Sequence, residues 1–329
     1  MKICICGGGS LGHVCAGVLG SQIDVELNLL TGHPSSWGNN VTVTDLDGQQ
    51  FVARFHRISS NPIDVVVGQD IILLCLPGYL IEHTLRSIQP YVGNAVIGSV
   101  VSSTGFFFFA HDILGKNAKL FGFQRVPFIS RVVEYGKSAS LLGYKSSLAV
   151  ALEHVENRKA FINEIERLFL TPVSILNNYL EVALSNSNPI LHTGRLYSMF
   201  YGRESVIFDH NILFYKEWTD GASQLLIDMD VEFFNLRGIL GVKSLPTLLD
   251  YYESTDASSL TRKITSIPAF QSITSPMIEV ENGWRVDFKS RYFTEDFPFG
   301  LRWIKVLAIA NKIYTPTIDR VYNWGMSRI

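Results

Sequence analysis

The sequence predicts an α/β protein, a Rossmann-type parallel-sheet domain followed by an all-α domain. Three observations carry this. A strand, a glycine turn and a small-residue helix open the chain. Apolar strands alternate with helices through roughly the first half. From Asn177 onward helical periodicity replaces strand alternation. A length of 329 residues also favours two domains, expected over 1–175 and 176–329.

The opening stretch reads MKICICGGGSLGHVCAG. Lys2–Cys6 has the composition of a buried strand. Gly7-x-Gly9-x-x-Gly12 follows, then a segment rich in small residues through Leu19. A lone glycine motif is weak, but this one sits between a strand and a helix, the context that a dinucleotide fingerprint requires. Gly7 permits the turn, Gly9 lets the backbone approach a pyrophosphate, and Gly12 permits close helix packing. Ser10 and Leu11 lie between them at the helix start. There, N–H groups without intrahelical acceptors and the positive dipole end favour phosphate.

The second strand, Val25–Leu30, ends in LLTGHPSSW. An NAD site usually has Asp or Glu at this end, to hold the ribose hydroxyls. Thr31 stands there instead, and Asp24 and Glu26 come too early. The sequence therefore favours NADP over NAD, with His33, Ser35 and Ser36 as phosphate donors. No arginine lies in this loop, which leaves Arg54 or Arg57 of the following segment to reach it. Val41–Phe55 alternates on both sides of Asp47-Gly48, the pattern of a β-hairpin. Ile71–Pro77 is an apolar run suited to a central strand, with Leu76 and Pro77 at the edge where ligands bind. Further strands are expected at Ala95–Val101, Lys119–Phe123 and Ser146–Leu152. Helices are expected at about Tyr79–Gln89 and Ala160–Leu170. Gly105–Asp112, with four phenylalanines, reads as core or lid. In the second domain Gln224–Gly241, Ser244–Ser254 and Leu301–Tyr314 keep helical spacing.

Composition narrows the function. The 28 basic and 30 acidic residues leave a net charge of −2, with no long run of either sign. Neither nucleic acid nor an anionic membrane is indicated. The N-terminal apolar stretch is too short for a signal peptide. No apolar run reaches the roughly 20 residues that span a bilayer. Cys4, Cys6, Cys15 and Cys75 lack metal-ligand spacing and no Cys/His cluster supports a metal, so they read as buried thiols of a cytoplasmic protein.

Further motifs appear in order along the chain. GGGSLGHVCA looks like a Gly-x-Gly-x-x-Gly-His-x-x-Ala start. QRVPFISRVVEYGKSASLLGYKSSL carries Pro-x-x-x-Arg-x-x-x-Gly and a Gly-x-Lys strand. NPILHTG, ILFYKEWTD and RYFTEDFPFGL follow. Together they resemble the opine dehydrogenases, the family of octopine, nopaline and carboxyethyl-norvaline dehydrogenases. The one departure noted is Thr193, where the pattern has proline. The resemblance implies NAD(P)H-dependent reductive condensation of an amino acid with a 2-keto acid through an imine. It implies that His192 moves protons, that Asp296 orients the ring, and that Arg291 holds a substrate carboxylate. It places substrates near Pro77, His192 and Asp296, in a cleft between the domains. Gln124, Arg131 and Tyr215 are further candidates at the substrate.

Each assignment has a plainer rival. His192 could be a core histidine, Asp296 a turn cap before Pro298, and Glu295 the true partner. Arg291 could be a surface cation, Arg131 a partner of Glu134, and Tyr215 core packing. His13 is expected to serve the glycine turn. No role is assigned to His56, His83, His111, His154 or His210. Other functions remain: a dehydrogenase acting on CH–OH, with Lys216 as its lysine, or a non-catalytic NAD(P) sensor. The sequence names neither substrate, and it leaves a homodimer open.

Overall fold

Strand β1 (Lys2–Cys6) lies in the middle of its sheet, as four fully buried residues require. The structure, a computed structural model, describes residues 1–242 and 244–329. The chain divides into two compact units, Met1–Ser185 and Asn186–Ile329.

In the first unit β1 leads through the glycine turn to α1 (Ser10–Gly20) and back to β2 (Glu26–Leu30). Next come β3 (Asn40–Asp45) and β4 (Gln50–Ser59), which form the expected hairpin. Short α2 (Pro62–Val66) leads into β5 (Ile71–Leu74), α3 (Gly78–Ile88), β6 (Val96–Ser99), α4 (Phe106–Leu114) and β7 (Leu120–Phe123). Strands β8 (Phe128–Glu134) and β9 (Ser138–Tyr144) make a second hairpin. The unit ends with β10 (Leu148–Glu153), α5 (Arg158–Phe169), β11 (Val173–Ile175) and one turn of helix, α6 (Leu180–Ala183).

All eleven strands join one sheet, ordered β11-β10-β7-β6-β5-β1-β2-β4-β3-β9-β8. The run β4-β2-β1-β5-β6-β7 is parallel throughout and has the doubly wound order. Outside this parallel run the sheet is mixed, with the expected hairpin on one side. Strands β3 and β8 run antiparallel to β4 and β9, and β10 runs antiparallel to β7. Between β2 and β4 the chain makes strand β3 where a crossover helix would lie in a regular unit. Helix α1 packs against β3, β4, β8 and β9, so the sheet curls around it. This needs a slender helix. A side chain at Gly17 would overlap Val43, and one at Gly20 would overlap Ala53 and Leu27.

The four-phenylalanine stretch is core. Phe106 and Phe107 are completely buried, each such ring contributing about 1.5–3 kcal/mol. All four cysteines are buried and unpaired. Residues 176–185 group with the first unit rather than the second. Strand β11 just before them pairs with β10, and α6 within them packs beside the turn Ser102–Thr104.

The second unit is helical, with α7 (Asn188–Phe200), α8 (Asp220–Ile239), α9 (Leu248–Tyr251) and α10 (Ala257–Ser266). A two-stranded ribbon, β12 (Met277–Val280) and β13 (Gly283–Val286), was not expected in an all-α domain. Then come α11 (Arg291–Thr294), α12 (Arg302–Ala310) and α13 (Pro316–Met326). Helix α8 is capped by the Thr219 hydroxyl and followed by Gly241 at φ +73°. The spacing in Ser244–Ser254 yields only the single turn of α9. Among the described residues no helix is long and apolar enough to cross a membrane.

Candidate active site

The glycine turn opens a cleft of about 610 Å³ at the carboxyl ends of β1, β2 and β5, lined there by Cys6, Leu30, Thr31 and Cys75. Gly7 has φ +118°, and a side chain on it would lie 2.6 Å from the Cys75 carbonyl oxygen. A side chain on Gly12 would overlap the Gly7 carbonyl, so the helix begins in contact with the strand. Gly9 faces open space. The turn therefore leaves a bare backbone edge at a helix N-terminus, the surface that a pyrophosphate occupies. The residues present fit a dinucleotide.

Of the candidate cofactor residues, Leu76, Pro77, Thr31, His33, Gly7 and Gly9 line this cleft. Ser35 does not; it is exposed on the turn Pro34–Ser36. Ser10 and Leu11 belong to the first turn of α1, and the Ser10 hydroxyl accepts from the Val132 N–H at 3.3 Å. The arginines of the hairpin are placed elsewhere. Arg57 donates to the Asp64 carbonyl at 3.4 Å, and Arg54 lies beside Glu26 at the opposite end of β2. Among the described residues that line the cleft there is no Asp, Glu, Lys or Arg.

His13 holds this turn. It is fully buried, its Nδ1 donates to the Gly9 carbonyl at 3.0 Å, and its Nε2 accepts from the Gly136 N–H at 2.8 Å. Its ring packs 4.1 Å from Trp37 and 5.3 Å from Tyr135. Burial pushes its pKa below 6.5, keeping the neutral form that both bonds need. Tyr135, in the β8–β9 turn, also lines the cleft, as does His83 of α3. Sequence reasoning gave His83 no role and missed Tyr135, because only the curl of the sheet brings residue 135 over a turn at residue 8.

In the second unit His192 lies on α7, its side chain 13% exposed. Its Nδ1 donates to Asp296 Oδ2 at 2.9 Å, and its Nε2 faces the Tyr215 hydroxyl at 3.0 Å. Asp296 rather than Glu295 is the partner found. Residues 297–301 form a wide π-turn in which the Leu301 N–H donates to the Asp296 carbonyl. Gly300 lets that turn close on α7, since a side chain there would lie 2.6 Å from Pro189. The Phe-Gly of the signature is thus a packing device that delivers Asp296 to His192. Thr193, in place of proline, turns away and donates to the Pro189 carbonyl.

Tyr215 joins the pair, whereas other candidates do not. Arg291 is 83% exposed, with one loose ion pair to Glu295 at 3.9 Å; Tyr292 is the residue that packs on the imidazole, at 4.8 Å. Gln124, at the end of β7, donates to the Glu181 carbonyl at 3.4 Å. Arg131 is exposed on β8 and does not line the cleft, and Glu134 pairs with Lys137 instead. Lys216 is exposed, next to the buried Tyr215. This gives no support to a lysine-dependent CH–OH mechanism.

Comparison with known proteins agrees with this geometry. Residues 175–328 match the family model described as NAD/NADP octopine/nopaline dehydrogenase, alpha-helical domain. Over 100% of this chain and 90% of the relative, the sequence is 26% identical to octopine dehydrogenase of Pecten maximus. It is 26% identical to opine dehydrogenase of Haliotis discus hannai over the same shares. Along its whole length the chain is similar to opine dehydrogenases, and its helical half matches their alpha-helical domain. A solved octopine dehydrogenase in complex with NADH and agmatine has the same fold, with TM-score 0.87 and 25% identity over 100% of this chain and 89% of that one. The glycine turn is thus the candidate dinucleotide element, and the His192–Asp296 pair the candidate proton-handling group.

Proposed function

We propose that this protein condenses an amino acid with a 2-keto acid and reduces the resulting imine with hydride from NAD(P)H. The observation that carries the reading is the His192–Asp296 pair. An imidazole whose Nδ1–H is committed to a carboxylate presents a basic Nε2, and its conjugate acid is stabilised by the same carboxylate. Such a group takes a proton from the amine and returns one to the departing hydroxyl. A sensor needs no such group. The dinucleotide, held by Gly7, Gly9, Thr31 and Pro77, supplies the hydride. The four unpaired cysteines support a reducing, cytoplasmic setting.

The reading is tested by a matrix of amino acids against 2-keto acids, followed by NAD(P)H absorbance. Oxidation should require both partners. Oxidation with the keto acid alone would instead identify a CH–OH dehydrogenase, and no oxidation with any pair would leave the sensor.

NADPH is the proposed preferred form, supported by Thr31 and by the lack of a carboxylate along the cleft. Thr31→Asp should move the ratio of kcat/KM for NADPH over NADH toward NADH by about 10–100-fold, through repulsion of a 2′-phosphate across a partly solvated gap. A wild type that favours NADH, or a ratio unmoved by the substitution, would refute the preference.

Arg291 is the proposed keto-acid carboxylate ligand, since its fork is exposed and only loosely paired. Arg291→Lys keeps the charge and loses the bidentate geometry, so KM for the keto acid should rise by about 10-fold while the cofactor KM stays constant. A rise in both would mark the residue as structural.

A further inference from the structure

We propose that the group presented to the substrate is the phenol of Tyr215, with His192 and Asp296 as the relay behind it. This rests on the opine dehydrogenase reading and assigns Tyr215 a proton-carrying role rather than a pocket-lining one. Asp296 accepts from His192 Nδ1, so Nε2 carries a lone pair. The Tyr215 hydroxyl, 3.0 Å away, therefore donates to Nε2. The nitrogen that would otherwise meet the substrate is already occupied.

This contact is built into the unit. The Tyr215 ring stacks on Phe270 at 4.2 Å and 22°, and lies parallel to Trp218 at 6.0 Å. Burial first, then Tyr292, Tyr252 and Asp296, push its phenol well above the ordinary tyrosine range, so it rests as a proton donor. The segment carrying it is pinned by Arg195, which is 3% exposed and whose pKa burial lowers to about 10. Arg195 Nε donates to the Phe214 carbonyl at 2.9 Å, and Nη2 to the Glu217 carbonyl at 2.8 Å. His192 and Arg195 sit three residues apart on α7. One rigid helix therefore holds the imidazole and anchors the backbone on both sides of Tyr215.

The proton balance closes. The substrate ammonium loses one proton to the Tyr215 oxygen as the phenol proton passes to Nε2, forming an imidazolium paired with Asp296. The freed amine attacks the keto carbon and gives a carbinolamine. The same path runs in reverse: Tyr215 protonates the departing hydroxyl, which leaves as water, and regains its proton from Nε2. The iminium carbon accepts the hydride, and a proton from solvent converts the product to its ammonium form.

Tyr215→Phe tests this, because it keeps the ring and its stacking while removing the hydroxyl. It should lower kcat by about 100-fold or more, leave the Kd for NADPH measured by fluorescence unchanged, and cost little further in the His192→Ala background. A kcat within threefold of wild type, or a loss confined to KM for the amino acid, would overturn the relay. The ¹⁵N resonance of His192 Nε2 in the free protein provides a reading that needs no turnover. Tyr215→Phe should shift it, and an unchanged resonance would overturn the proposal even if the wild type oxidised no NAD(P)H. Lack of turnover in the wild type with that resonance shifted would overturn the opine reading, and with it the relay's role in this reaction.

Discussion

Replacing His192 with alanine will lower kcat by roughly 10²–10⁴, the span typical of a general acid–base. Asp296→Asn will lose much of the same amount. The asparagine carbonyl can still accept from Nδ1, but the charge that stabilises the imidazolium is gone. Both side chains are largely shielded, at 13% and 18% exposure, so solvent does not substitute for that charge. The two residues act on one proton, so the double variant should be little worse than His192→Ala alone. The measurement is kcat at saturating amino acid, keto acid and cofactor for the four proteins. Losses that multiply, or wild-type turnover in either single variant, would mean the residues do not work as a unit.

Replacing Gly12 with alanine will weaken dinucleotide binding by about 100-fold or more. It will also cost about 1–3 kcal/mol of stability, the usual range for overpacking. The added methyl meets the Gly7 carbonyl, a backbone atom that cannot rotate away, so α1 must shift off β1. The phosphate-binding N–H groups move with it. Gly9→Ala is the contrast. Its methyl would enter open space, so the fold should keep its Tm while the pyrophosphate loses its close approach. Thermal unfolding and NADPH fluorescence titration separate the two effects. Equal loss of Tm in both variants, or an unchanged Kd in Gly12→Ala, would refute this account of the turn.

The first unit was the more legible. Lys2–Cys6 is strand over its whole predicted length, and the Asp47-Gly48 turn joins antiparallel strands as read. These signals are local: period two, turn chemistry, and an apolar run that fits a strand covered on both faces. Strands β8 and β9 were harder. β8 buries only Phe128, and β9 alternates only over Ser138–Leu141 before the exposed Leu142, so little of either strand marks a core face. The ribbon β12–β13 is short and has only Met277 and Val286 buried, which leaves little pattern to detect. At the site, the motifs pointed to His192 and Asp296, while the reading of Tyr215 left core packing open beside a pocket role.

By itself the sequence determined the glycine turn between strand and helix, the parallel centre of the sheet, and a second strand that ends in Thr31 without an acid. Each depends on neighbours within a few residues, where backbone sterics and hydrophobic period decide the outcome. Only the tertiary structure decided which groups meet. His192 and Asp296 are 104 positions apart, and their bond exists because Gly300 lets a π-turn close on Pro189. His13 is bonded to residue 136 because the sheet curls over α1. Arg291 lies exposed while Tyr292 covers the imidazole, a choice set by which face of one helical turn packs inward. Contacts of this kind follow from packing between distant elements, and no local pattern encodes them.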